Sequence, residues 1–266
     1  MPEDLVVAKR ALSWLMFSKR QLRLHELSIA VAIEPEDRVF DDDKKFDNDE
    51  MTLQICGSLV KLHSKSSIVE FGHFSVRQYL SLKILPDGTE NIYYLDPIKS
   101  TEEICKACLT YLSHAPFAEG PCRNRNEYKR RVFDNPFLLY AGLYWPRHAR
   151  DMTTTFDDEP ILDFLMNKSV LLSWAQVWDM YNEEWSETHI IRQHSIHDIP
   201  WTDSNIDENM PLALYFAALF GFESATQSLL KRSANINGPC DGWRFSDTSQ
   251  DCDEVQVRGQ VVKVFC

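Results

Sequence analysis

Leu212–Asn237 reads LALYFAALFGFESATQSLLKRSANIN. Leu214, Ala217 and Ala218 fall on one face at helical spacing. Gly221 interrupts the period and supplies a turn. Ala225, Thr226, Leu229 and Leu230 then resume it on a second helix. Two short helices joined through one glycine form a helical hairpin, and the small side chains of the first helix allow a neighbour to approach closely. An ordinary amphipathic helix pair is the plain alternative. Downstream, 239–266 is expected to be an irregular or disordered tail. It is polar and then alternates Val255, Val257, Val261 and Val264, like a strand without a partner.

Working back toward the N-terminus, the helical signal continues. Leu171, Trp174, Ala175 and Trp178 form one stripe, and Ile161, Phe164 and Leu165 another. Asn135-Pro136 has the form of an N-cap and first-turn pair ahead of Phe137, Tyr140, Ala141 and Tyr144. Pro146 is expected to kink or end that helix. Ser100 with Glu103 resembles a capping box before Ile104, Ala107, Cys108 and Tyr111. Helices without strands imply a bundle or an α-solenoid, with Asp198–Asn209 as a polar loop.

Pro86–Pro97 punctuates the chain. Ahead of it the pattern is different. Lys9–Ser18 and Leu24–Ile33 read as helices, followed by a polar acidic loop, Glu34–Glu50, that is expected to be partly disordered. Asp47 and Glu50 have capping-box spacing before Met51, Ile55, Cys56 and Leu59. Val60 and Leu62, then Val69 and Phe71, alternate with polar residues around His63–Ser67, which predicts a hairpin. Phe74–Leu82 returns to helical spacing. Helix, helix, helix, hairpin, helix is a winged-helix layout. The fold class is therefore mainly α. The expected divisions are a winged-helix domain with a small β-hairpin at 1–85, an α-helical connector at 86–205, one helix pair at 206–238, and the tail.

Composition narrows the function. The 266 residues carry a net charge of −12, with nine acids against three bases in Glu34–Glu50. An acidic chain is not drawn as a whole to nucleic acid or anionic membranes. The start, Met1-Pro2-Glu3-Asp4, lacks the features of a signal peptide, and no run of 18 apolar residues occurs. Seven scattered cysteines fit a reduced, cytoplasmic protein. With nine glycines the chain holds neither G-x-x-x-x-G-K-[ST] nor G-x-G-x-x-G, so no phosphate-cradling loop is evident.

Leu212–Asn237 resembles the ankyrin consensus from Ala217-Ala218 to its final Asn. It departs at Ala213, where the consensus has Pro, and at Ser233, where Gly normally ends the second helix. The implied ankyrin core is Leu214, Ala217, Ala218, Gly221, Leu229 and Leu230. A lone repeat does not bury its own faces, so this part is expected to be the least stable. Residues 10–85 resemble the winged helix that follows the NACHT domain in fungal NACHT–ankyrin (STAND) signalling ATPases, the GPI-inositol-deacylase type. The carrying residues are Ala11-Leu12-Ser13-Trp14-Leu15, Leu24–Ile33, Ile55-Cys56-Gly57-Ser58-Leu59-Val60 and Phe71-Gly72-His73-Phe74-Ser75-Val76-Arg77-Gln78-Tyr79-Leu80. Tyr140–Ala149 looks like the connector into the ankyrin array. The resemblance implies that His73 descends from a sensor of the β-phosphate of bound ADP, a candidate vestigial nucleotide-binding residue; the plain alternative is a helix-start His hydrogen-bonded to backbone.

Other clusters are weaker. Cys105-Lys106-Ala107-Cys108 lacks a second ligand pair and reads as core. His189, His194 and His197 beside Asp198 read as solvated surface. Arg123, Arg125, Lys129, Arg130 and Arg131 form a basic run able to meet an anion or an acidic partner, such as Glu34–Glu50, with a solvated face as the default. Trp174, Trp178 and Trp185 read as core. No Gly-x-Ser-x-Gly elbow occurs and no serine has an evident base, which argues against a hydrolase. The expected function is a non-catalytic interaction or scaffold piece of a NACHT–ankyrin signalling ATPase, without cofactor or metal, whose partner is a protein, including a NACHT ATPase domain on another chain. The alternative is a winged-helix DNA-binding regulator. It has Lys61, Lys65, Arg77 and Lys83 in its favour, but Met51–Leu59 contains no Lys or Arg.

Overall fold

The computed structural model describes residues 3–34, 37, 40–152, 159–185, 212–231, 254–257 and 260–263. They are mostly helical, with two small antiparallel strand pairs. The chain divides into two compact units, residues 1–114 with 136–156, and residues 115–135 with 157–266.

The first unit begins with α1 (Glu3–Phe17), α2 (Leu24–Ala32) and α3 (Glu50–Cys56). The hairpin β1 (Val60–Leu62) and β2 (Val69–Phe71) follows, paired Val60 to Phe71 and Leu62 to Val69. Arg23 bridges to Ile68, and the Val69 N–H donates to the Leu22 carbonyl, so the α1–α2 connection adds a short third edge to the hairpin. α4 (Phe74–Ser81) completes the winged-helix order. Leu12 and Leu80 are buried together with Leu95, and Val60, Phe71 and Val76 pack against them.

This unit runs past residue 85. The segment after α4 folds back on it: the Asn91 side-chain amide donates to the Tyr79 and Leu82 carbonyls at 2.8 and 2.9 Å, capping the helix end. α5 (Pro97–Leu112) packs on α1 and most extensively on α8 (Leu138–Asp151). Trp14, 1% exposed, meets Phe137 and Tyr140 edge-on at 5.5 and 5.7 Å. Pro86–Pro97 is thus a turn inside a unit, because the apolar faces of α1, α5 and α8 cover one another.

Several local expectations are corrected. α5 is capped by the Asp96 carboxylate with Pro97 in its first turn, and Ser100 is buried within it, 3.3 Å from the Ser13 hydroxyl. α8 starts at Leu138 and runs through Pro146 to Asp151. The Asp47 side chain does not cap α3; the Asn48 side chain accepts the Glu50 N–H instead. Within the acidic segment, Phe40 is 3% exposed against Tyr111 and His114. Thr110 Oγ1 donates to the Asp37 carbonyl at 2.8 Å, and Lys44 pairs with Glu34 and Asp37. The described part of this loop is therefore anchored: one buried aromatic ring and a set of ion pairs oppose its charge repulsion.

In the second unit, α6 (Ala115–Ala118) and α7 (Arg125–Asp134) precede α9 (Glu159–Met166) and α10 (Lys168–Trp185). The helix pair is α11 (Leu212–Phe220) and α12 (Glu223–Lys231). Between them Gly221 has φ of 72°. The Phe222 N–H donates to the Ala217 carbonyl at 2.9 Å and the Gly221 N–H to Ala218 at 3.0 Å. That bonding pattern is a Schellman cap, which needs a left-handed residue at this point. Gly221→Ala is expected to cost about 1 kcal/mol, the price of a Cβ in the left-handed region. A shift of the urea midpoint at constant slope would show it; an unchanged midpoint would refute the cap.

The helix pair does not stand alone. Trp174 on α10 lies 4.7 Å from Phe216 and 5.9 Å from Phe220, and Trp178 lies 5.0 Å from Phe220. α9 also touches both α11 and α12. The exposed apolar flank expected of a single repeat is thus covered on this side by aromatic side chains of the preceding helices. In the tail, β3 (Glu254–Val257) pairs antiparallel with β4 (Gln260–Lys263), Val255 opposite Val262. Val255, Val257 and Val261 therefore do have a strand partner, and Val264 lies outside the described residues. The Ser233 position, the histidines 189–197 and the loop 198–209 lie outside the described residues.

Candidate functional site

His73 is the N-cap of α4, held in extended backbone (φ −146°, ψ 148°). Its placement depends on Gly72, where an added Cβ would sit 2.7 Å from the Ser58 carbonyl oxygen. The Gly72 N–H donates to the Leu59 carbonyl at 2.8 Å, so the two backbones run too close for a side chain. The Ser75 N–H donates to His73 Nδ1 at 3.2 Å, and Ser75 Oγ lies 2.7 Å from the same nitrogen. The Phe74 ring lies against the imidazole with centroids 4.4 Å apart. With Nδ1 accepting, the proton of the neutral ring sits on Nε2. The exposed edge of the ring is therefore a donor, suited to a carbonyl or an anion.

Ser75 carries no signal of its own in the sequence, because histidine is not among the common N-cap residues whose partners sit at fixed spacing. This Ser–His pair is a capping arrangement. Nε2 has no carboxylate to orient it among the described residues, so the pair lacks the third member of a nucleophile–base–orienter set.

Beside His73 an open groove of about 780 Å³ runs along α4. Leu59, Val76, Tyr79, Leu82, Leu85 and Pro86 line it. Leu59, Tyr79 and Leu82 are 40–43% exposed and Phe74, at the helix start, is 67% exposed. Ser75, Gln78 and Asp87 complete its lining. α3, by contrast, carries no Lys or Arg, and its charged residue is Glu50. The wing carries Lys61 and His63, both paired to Glu70, with His63 Nε2 at 2.9 Å. Basic side chains are thus absent from α3, and on the wing Lys61 and His63 are paired while Lys65 is exposed in the turn between the strands.

The Cys-x-x-Cys lies inside the core. Cys105 and Cys108 are fully buried, and burial pushes both thiols far above their ordinary range. The Cys105 thiol points to the Trp145 carbonyl at 3.8 Å, so the pair packs as part of the α5–α8 core. Among the described residues no cluster of three His, Cys, Asp or Glu side chains is placed to hold a metal. Cys122 is also buried, its N–H and carbonyl clamped by the Gln176 amide at 2.8 and 2.9 Å. No helix among the described residues is long and apolar enough to cross a membrane.

Of the helix-pair residues, Leu214, Ala217, Ala218 and Leu229 are buried, Leu230 is half-buried and Gly221 forms the turn. Trp174 is buried as expected. The basic run separates into two roles. Arg131 turns inward to the Gly120 carbonyl and the Ser173 hydroxyl, while Arg123, Arg125, Lys129 and Arg130 stay exposed.

Residues 3–90 match the sequence family described as GPI inositol-deacylase, winged helix domain. This is a domain found in NACHT-containing proteins. Among curated proteins and among solved structures, none matches the chain. The match covers the helices and the hairpin up to the turn after α4, which includes His73 and the groove.

Proposed function

We propose that the chain is a non-catalytic, cytoplasmic interaction region of a NACHT–ankyrin signalling ATPase. In this reading the winged helix docks an ATPase domain, and α11–α12 is an ankyrin-type repeat. The observation that carries it is the apolar groove along α4 beside an outward-facing imidazole donor, within a domain type that accompanies NACHT domains. Apolar surface of this kind, edged by the polar Ser75, Gln78 and Asp87, is the usual mark of a protein contact. Both helices of the α11–α12 pair follow the spacing of an ankyrin repeat, and the Ala217-Ala218 step lies in the buried face.

His73 would then meet either a backbone carbonyl or a nucleotide phosphate of the docked domain through Nε2. Titration calorimetry of the chain against a purified NACHT domain in its ADP form tests the reading. Binding is expected, weakened by about tenfold or more in Leu82→Asp, since a charge would be buried in an apolar contact. His73→Ala is expected to weaken the ADP-loaded complex more than the nucleotide-free one. Absence of binding, or equal binding by Leu82→Asp, overturns the proposal. DNA binding by α3 is disfavoured by its lack of basic residues.

A further inference from the structure

The most exposed large apolar side chain among the described residues is not in the α4 groove. It is Phe133, 83% exposed, in the last turn of α7. That helix is fixed firmly at its start. The Asn124 side chain accepts the Asn126 and Glu127 N–H groups at 3.1 and 3.0 Å, and the Glu127 carboxylate accepts the Arg123 N–H at 2.9 Å. Its inner face is held by buried Tyr128 and by Arg131, whose guanidinium also lies 6.0 Å from the Phe117 ring.

The outer face is of a different kind. Lys129, Arg130 and Phe133 fall at i, i+1 and i+4, so one cationic pair and one bare aromatic ring share a surface. Arg125 lies one turn earlier on the same side. None of Arg125, Lys129 and Arg130 has a carboxylate within ion-pair distance among the described residues. The helix holds two acids against Arg125, Lys129, Arg130 and Arg131: Glu127, which accepts from Arg123 and Asn124 and also feels the Arg130 charge, and Asp134, its last residue. In a chain of net charge −12 this is an unbalanced basic face.

We propose that the outer face of α7 binds a short acidic protein segment carrying one large apolar side chain. The carboxylates would meet Arg125, Lys129 and Arg130, and the apolar side chain would cover Phe133. Charge complementarity identifies the occupant. An extended polyanion such as RNA also attracts cations, but it would lie along a strongly acidic chain and be repelled outside this helix. A segment of about ten residues avoids that repulsion. The chain's own acidic loop is a poor candidate, because Lys44, Lys45, His114 and buried Phe40 already hold it. The surface lies on a different helix from the α4 groove, and the inference stands independently of that groove's partner.

The test uses the full chain against an array of 12-residue peptides that vary the number of Asp and Glu residues and the presence of a central Leu, Phe or Trp. Bound peptides are expected to carry several acids around an apolar residue, and to bind more weakly as salt rises. Phe133→Ser, and separately Lys129→Glu with Arg130→Glu, are each expected to weaken binding by about tenfold or more, as for an anchor residue at a contact. These side chains are exposed, so the fold is not expected to change, and circular dichroism checks this. Selection of peptides without regard to acidity overturns the proposal. So does binding that survives both variants, or tighter binding of single-stranded RNA than of any peptide.

Discussion

Replacing Trp174 by alanine is expected to destabilise the second unit by about 3–5 kcal/mol, the range for truncating a buried tryptophan. Trp174 is 1% exposed and joins α9 to the helix pair: its ring lies 5.9 Å from Phe164 and 4.7 Å from Phe216. Removing it leaves a cavity and uncovers Phe216 and Phe220 together. Aromatic contacts of this geometry add to the area term. The unfolding of α11–α12, followed by hydrogen exchange, is expected to become far easier than in the wild type. Trp174→Phe, which keeps a ring, is expected to recover more than half of the loss. If α11–α12 kept its protection in Trp174→Ala, the pair would be folding without its neighbours.

The second large effect is a pH dependence seated at His148. This side chain is fully buried on α8, and Nε2 lies 2.9 Å from the Tyr140 hydroxyl. That hydroxyl accepts the Lys19 N–H at 3.0 Å, so its own proton is directed to the imidazole. Nδ1 has no hydrogen-bond partner among the described residues. Burial, reinforced by the Lys19 ammonium and partly offset by Asp151, pushes the pKa down to about 3. A histidine whose folded pKa is depressed stays neutral in the fold while the unfolded chain takes a proton. Its stabilising contribution is therefore present above the ordinary pKa of 6.5 and is lost as the pH falls from there toward 3. At pH 5 the loss is about 2 kcal/mol relative to pH 7. His148→Met is expected to remove about that much of the difference between urea-unfolding free energies at the two pH values. An equal difference in wild type and variant would show that other groups set the acid sensitivity.

Both effects lie in places the sequence marked without explaining. Trp174 and Tyr140 were legible as members of helical stripes. Their partners were not, because the stripe gives a face and not what covers it. The caps have the same origin: Ser100 has the spacing of a cap, but Asp96 lies one turn earlier and Pro97 fixes the first turn there. The candidate site was legible in part. His73 was found through resemblance, while Ser75 and the groove formed by Leu59, Tyr79 and Leu82 required the fold of the turn after α4.

The amino-acid sequence by itself determined the local elements: the winged-helix order, the hairpin between Val60 and Phe71, and the Gly221 turn of the helix pair. Those depend on periodicity, on apolar–polar alternation and on a glycine that adopts a left-handed φ without strain, all of which act over a few positions. Only the tertiary structure decided that the first unit extends through α5 and α8, that the acidic loop is pinned by Phe40, and that the helix pair rests on Trp174 and Trp178. Those outcomes depend on which apolar faces find each other across 40 to more than 100 residues, and packing of that range is not written in any local period.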